Sequence, residues 1–202
     1  GIPARAIAGW NGQTWSELGG GLGEVATTFG IQRFGYASLI FGDDLFVGGL
    51  FSTAGNVQAN NIARWDGSAW HDLAGGMTRA DTVRPIVDDL TMYNGELVAA
   101  GGFTFAGGVP ANLVARWDGA SWHAFGSGIG GISPSTDRVY AVTTFQEKLI
   151  VAGSFTTAGG QPAANIAAWN GTGWETLGSG IAGQVNNTTV YGLCVYGDEL
   201  IV

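Results

Sequence analysis

Apolar and polar positions along this chain recur in short runs broken by glycine, and no helical spacing is held over 12 residues. Short apolar runs bounded by turn residues read as strands. One unit can be followed through its third copy. The run Val139-Tyr140-Ala141-Val142-Thr143-Thr144-Phe145 predicts a first strand, and Gln146-Glu147-Lys148 a turn. Leu149-Ile150-Val151-Ala152-Gly153-Ser154-Phe155 predicts a second strand, leading into a loop from Thr156 to Pro162. A hairpin follows, seen in the preceding copy as Val114–Trp117 and Ser121–Phe125. The pattern therefore predicts an all-β chain with four short antiparallel strands per unit.

The hairpin carries the clearest signature. Ile62-Ala63-Arg64-Trp65-Asp66-Gly67-Ser68-Ala69-Trp70 has counterparts at residues 7–15, 114–122 and 166–174, and these hold all eight tryptophans: Trp10, Trp15, Trp65, Trp70, Trp117, Trp122, Trp169 and Trp174. Asn-Gly or Asp-Gly between strand-forming runs signals a hairpin, because both central positions of a type I′ turn need positive φ. A two-residue loop makes the two tryptophans diagonal neighbours, and a four-residue loop sets them directly opposite. Either arrangement places two large aromatics side by side on one face, where cross-strand pairing contributes roughly 0.2–1 kcal/mol beyond burial. Repetition makes this a packing device before it is a binding site.

The period is close to 52 residues. Trp10, Trp65, Trp117 and Trp169 are spaced by 55, 52 and 52, and Phe51, Phe103 and Phe155 mark a second register 52 apart. Such a period indicates a repeat architecture, here four blade-like units of a β-propeller in a single region spanning residues 1–202. The units run approximately 1–35, 36–89, 90–138 and 139–189. Residues 190–202 then begin a blade to be completed by the N-terminus or by another chain. The copies disagree in the connections Glu24–Gly35, Thr78–Asp89, Gly130–Arg138 and Ala182–Thr189. Small residues at 19–21, 74–76, 126–128 and 178–180 precede these in fixed register, as a tight exit or close sheet packing requires.

Composition adds constraints. Glycine makes up 36 of 202 residues without a collagen period, and 46% of the chain is hydrophobic, which suits a β protein with many tight turns. The net charge of −8 argues against nucleic acid and anionic membrane surfaces as partners. No run of 18 apolar residues occurs, so no helical membrane span is expected. Cys194 has no partner for a disulfide, and its apolar run predicts a buried strand thiol. A start at Gly1, without methionine or signal peptide, reads as a mature fragment or a window on something longer.

Several of these residues carry a resemblance. They are the glycines ending the second strand (Gly48-Gly49, Gly101-Gly102, Gly153), the Phe-x-x-Ala-Gly that follows (Phe51 to Gly55, Phe103 to Gly107, Phe155 to Gly159) and the Trp-Asn/Asp-Gly hairpin. Together they resemble kelch and galactose-oxidase-like β-propeller repeats, of the Gly-rich type found in secreted and cell-surface bacterial proteins. The resemblance implies the propeller fold and an extracellular location. The copper-binding Tyr/His/Cys set of galactose oxidase has no counterpart, and WD40 repeats differ in period and lack their Gly-His signature.

Chemistry is harder to find. His71 and His123 follow the second tryptophan in two copies and read as surface-strand residues on separate blades. Most acids sit at turns, where their side chains bond nearby backbone. Asp81 and Asp88-Asp89 fall outside the repeat pattern, but no calcium-loop spacing surrounds them. Asn170, Asn186 and Asn187 head glycosylation sequons. Arg33, Arg84 and Arg138 each precede a first strand, which marks them as candidate contacts to an anionic or carbohydrate partner. The expected function is a non-enzymatic extracellular scaffold without cofactor or metal. Its partner is protein, through a surface contact or through end-to-end assembly into a filament or surface layer. A carbohydrate-binding module using Phe29, Phe34 and Phe105 is the alternative.

Overall fold

A computed structural model describes residues 2–27, 30–133, 136–182 and 188–202. All regular structure in them is β. The principal strands are β1 (Ala8–Trp10), β2 (Trp15–Glu17), β3 (Phe34–Phe41), β4 (Asp44–Leu50), β5 (Ile62–Trp65), β6 (Trp70–Asp72), β7 (Val87–Tyr93), β8 (Glu96–Gly101), β9 (Val114–Trp117), β10 (Trp122–Ala124), β11 (Arg138–Phe145), β12 (Lys148–Ser154), β13 (Ile166–Trp169), β14 (Trp174–Thr176), β15 (Cys194–Tyr196) and β16 (Glu199–Ile201). Three antiparallel four-stranded sheets result, in orders β3-β4-β5-β6, β7-β8-β9-β10 and β11-β12-β13-β14. The β1–β2 and β15–β16 hairpins form separate two-stranded sheets. By position in the repeat, β1–β2 correspond to the last two strands of a sheet and β15–β16 to the first two.

The second strand of each sheet is its most buried element. Leu149 to Gly153 in β12 are all buried, as are Leu97 to Gly101 in β8. Both faces of such a strand lie against neighbouring sheets, which is why its sequence is continuously apolar instead of alternating. Phe51, Phe103 and Phe155 follow these strands and are 0–1% exposed.

All four tryptophan pairs are directly opposite one another across their hairpins, with ring centroids 5.2–5.5 Å apart. The loops are thus four residues long, and the type I′ expectation fails at Asn11, Asp66, Asp118 and Asn170. Only the following glycine has positive φ, 93–101° in the four copies. The Asn or Asp serves through its side chain: Oδ1 accepts the N–H groups two and three residues on, as from Ser68 and Ala69 to Asp66, both at 2.8 Å.

Consecutive sheets are joined by a recurring bond. The indole Nε1–H of Trp70 donates to the Leu18 carbonyl (3.1 Å), that of Trp122 to Leu73 (2.8 Å) and that of Trp174 to Phe125 (2.8 Å). The acceptor always lies three residues after the second tryptophan of the preceding hairpin. Short ladders repeat the connection: Met77–Thr78 pairs with Phe105–Ala106, and Ile129–Gly130 with Thr157–Ala158. The predicted loop from Thr156 to Pro162 is accordingly a small hairpin, Thr157–Ala158 with Gln161–Pro162. Hydrophobic clusters span the sheets, as where Phe125 packs 5.5 Å from Trp169.

Candidate functional site

The first strands β3, β7 and β11 converge, and each carries one extra residue. The registers shift between Gly35 and Ala37, between Val87 and Asp89, and between Val139 and Ala141. Tyr36, Asp88 and Tyr140 are therefore the bulged residues. A β-bulge bends its strand and re-aims a side chain. The cause lies across the ladder, at Gly49, Gly101 and Gly153. A Cβ there would come within 2.0–2.1 Å of the carbonyl oxygens of Phe34, Ile86 and Arg138. Glycine at the end of the second strand thus admits the bulge in the first, and the bulge directs a side chain to the place where the sheets meet. Tyr191 holds the corresponding repeat position beyond the third sheet.

Charges and aromatic rings gather at this meeting point. Arg138 forms a bidentate ion pair with Asp88, both contacts at 2.5 Å, and binds the first strand of the third sheet to that of the second. Its guanidinium lies 4.9 Å from the centre of the Tyr140 ring, a cation–π distance. Tyr140 and Tyr191 are 4.9 Å apart, and Phe34 stacks on Tyr36 at 5.6 Å. Asp89 accepts the Val142 N–H at 2.8 Å across the same boundary. Burial is the largest influence on the acids and phenols here. It pushes the Asp88 carboxyl up against the opposing pull of Arg138, and raises the Tyr36 and Tyr140 phenols, which also feel Arg138. For Arg138, burial alone would weaken the charge, but the Asp88 carboxylate outweighs it and holds the guanidinium protonated.

The arginines expected to act together are only partly brought together. Arg84 and Arg138 line one cavity with Arg79, Asp137 and Tyr140. Arg33 is outside that lining and pairs with Glu24 at 2.7 Å. Arg84 is exposed and makes no ion pair or hydrogen bond among the described residues, whereas the buried Arg79 grips Asp81 with two hydrogen bonds of 2.8 and 2.9 Å. Asp81 and Asp88-Asp89 thus serve arginines and backbone N–H groups. Among the described residues no three His, Cys, Asp or Glu side chains are grouped to hold a metal ion.

The histidines are tied locally. His71 Nε2 lies 2.6 Å from Asp66 Oδ2, and His123 Nε2 lies 2.7 Å from Asp118 Oδ2, each within its own hairpin. Of the loop aromatics, Phe34 is at the convergence, Phe105 is half-buried in a short ladder, and Phe29 lies outside the described residues. So do the sequon residues Asn186 and Asn187, while Asn170 caps its hairpin turn. Cys194 is exposed, against the expectation of burial, because the β15–β16 hairpin pairs with no further strand among the described residues.

The tyrosines were missed from sequence although a signal was present. Tyr36, Tyr140 and Tyr191 stand five residues before the aromatic that enters the β-turn of their unit (Phe41, Phe145, Tyr196), and Asp88 stands five before Tyr93. The second unit therefore replaces Tyr-Ala or Tyr-Gly by Asp-Asp, and this departure is the clamp onto the third sheet.

A family model described as a domain of unknown function (DUF5122) β-propeller matches residues 148–167, from β12 into β13. The match supports a β-propeller repeat. No curated protein matches the chain. No helix among the described residues is long and apolar enough to cross a membrane.

Proposed function

We propose that this chain is a set of four kelch-like propeller blades acting as a non-enzymatic extracellular scaffold, assembling end to end through its own repeat contacts. The observation that carries this reading is the indole-to-carbonyl bond, made three times in one register. It is the contact that successive sheets of this chain make with one another. Two halves of a further such bond stand open. Trp15 is 56% exposed, and the Leu177 carbonyl accepts only the Gly180 N–H among the described residues. Trp15 of one copy donating to Leu177 of the next continues the series between molecules, with β15–β16 and β1–β2 supplying the two halves of one sheet. A head-to-tail contact that does not close propagates.

The functional groups support a scaffold over an enzyme. The His–Asp pairs are turn clasps, and the Asp88–Arg138 pair binds sheet to sheet. Light scattering and negative-stain imaging of native material test the assembly. The expected result is concentration-dependent growth into fibres or a layer, abolished by Trp15→Ala. Monodisperse closed rings over the whole concentration range would refute assembly. Antibody labelling of intact cells tests the surface location.

A further inference from the structure

We propose that the convergence of the first strands is a binding site for an acidic saccharide, stacked on Tyr36 and Tyr191 and held through its carboxylate by Arg84. This goes beyond the scaffold reading and does not depend on assembly.

Three observations select that ligand class. The first is geometric. The bulged Tyr36 and Tyr140 both lie near Arg138, Tyr191 stands 4.9 Å from Tyr140, and Tyr36 and Tyr191 remain 49% and 73% exposed. Flat aromatic faces with hydroxyls at their edges suit a ring that is apolar on its faces and polar around its rim, as a pyranose is.

The second observation concerns charge. Several tyrosines with a carboxylate could form a cage for an organic cation. Here Arg138 already occupies that place, over Tyr140 and clamped by Asp88. A second cation would meet it. Arg79 lies on the same cavity, close enough that a Cβ on Gly102 would touch both Arg79 and Arg138.

The third is a cation on this cavity that pairs with no acid among the described residues. Arg33 pairs with Glu24, Arg79 with Asp81 and Arg138 with Asp88, whereas Arg84, exposed on the cavity lining, has no acid partner among the described residues. Its planar fork matches a carboxylate in two parallel hydrogen bonds. A neutral sugar would leave that fork unused. The overall charge of −8 repels a polyanion at long range, so recognition of a short acidic unit, weakening with salt, is the expected behaviour.

The test is titration calorimetry of the whole chain with a galacturonate tetrasaccharide and, in parallel, with maltotetraose. The acidic probe should bind at least tenfold more tightly than the neutral one. Arg84→Ala should remove that preference, and Tyr191→Ala should weaken both probes tenfold or more. Both side chains are exposed, so each variant should melt within a degree or two of the parent, and a thermal scan checks this. Equal affinity for the two probes overturns the acidic class. Absence of binding, or binding that neither variant changes, overturns the site itself. In each of those cases fibre formation by the parent still reports separately on the scaffold.

Discussion

At the scale of single residues, two kinds of turn divide the work that sequence reading gives to Asn-Gly. In the tryptophan hairpins the Asn or Asp acts as a side-chain acceptor and only the glycine takes positive φ. The left-handed pair of a type I′ turn occurs instead between first and second strands, as Asn94-Gly95 in the second sheet. In the third sheet that turn is Gln146-Glu147, with φ of 48° and 62°. Holding a residue with a Cβ there costs roughly 1–2 kcal/mol. The double variant Gln146→Asn, Glu147→Gly should therefore stabilise the chain by about 1–2 kcal/mol, seen as an upward shift of the midpoint in urea with unchanged slope. Gly153→Ala should do the reverse. A Cβ 2.0 Å from the Arg138 carbonyl forces β11 and β12 apart, and a loss of more than about 2 kcal/mol is expected. The same variant should alter Tyr140 fluorescence or its ring resonances, because the bulge that aims Tyr140 depends on this glycine.

At the scale of elements, the decisive contact is between hairpins of successive units. Trp122 is 3% exposed and donates to Leu73, whereas Trp15 is 56% exposed and has no such acceptor among the described residues. Trp122→Phe removes the donor and some packed volume, with a loss of about 1–3 kcal/mol expected from the bond and the cavity together. Trp15→Phe in the unassembled chain should cost less than about 0.5 kcal/mol. Equal losses at the two positions would contradict the assignment of the tryptophans to contact between sheets. Charge at the strand ends follows the same unit logic. Arg64 pairs with Asp44 and Arg116 with Glu96, but in the third sheet the cation is Lys148 and its acid is Glu175. Ala168 stands there in place of Arg64 and Arg116, so the cation has moved to the second strand and its acid lies on the fourth.

For the whole molecule, pH separates two populations of acids. Asp66, Asp81, Asp118 and Glu175 have carboxyls held below the ordinary range, chiefly by His71, Arg79, His123 and Lys148 respectively, and Asp118 falls to about 2. A depressed folded value means stability that is complete above the unfolded carboxyl range and is lost as pH falls towards the folded one. Asp88 and Asp89 are raised by burial, so ionising them opposes folding and acid relieves that cost. Melting temperature should hold or rise slightly from pH 6 to about 4.5, then fall steeply below about 4. Asp118→Asn, the residue type found in two other hairpins, should make the acid limb shallower. A limb unchanged in that variant would show that Asp118 does not supply it.

What the sequence determined by itself is the local and the periodic. Strand runs, turn glycines, the tryptophan hairpins and the 52-residue period all follow from residues close in the chain, where sterics and alternation are legible. Even the glycines of the second strand could be singled out, though not their purpose. The tertiary structure decided what depends on partners far apart in sequence. The bulge needs a carbonyl passing over Gly49, Gly101 or Gly153. The Asp88–Arg138 clamp joins side chains fifty residues apart. Arg33 and Arg84 both lie in the connection just before a first strand, yet one meets Glu24 and the other meets no acid among the described residues, because those connections differ. A repeat specifies its own fold through contacts made in every copy, whereas a binding surface arises where the copies differ, and only packing brings those differences together.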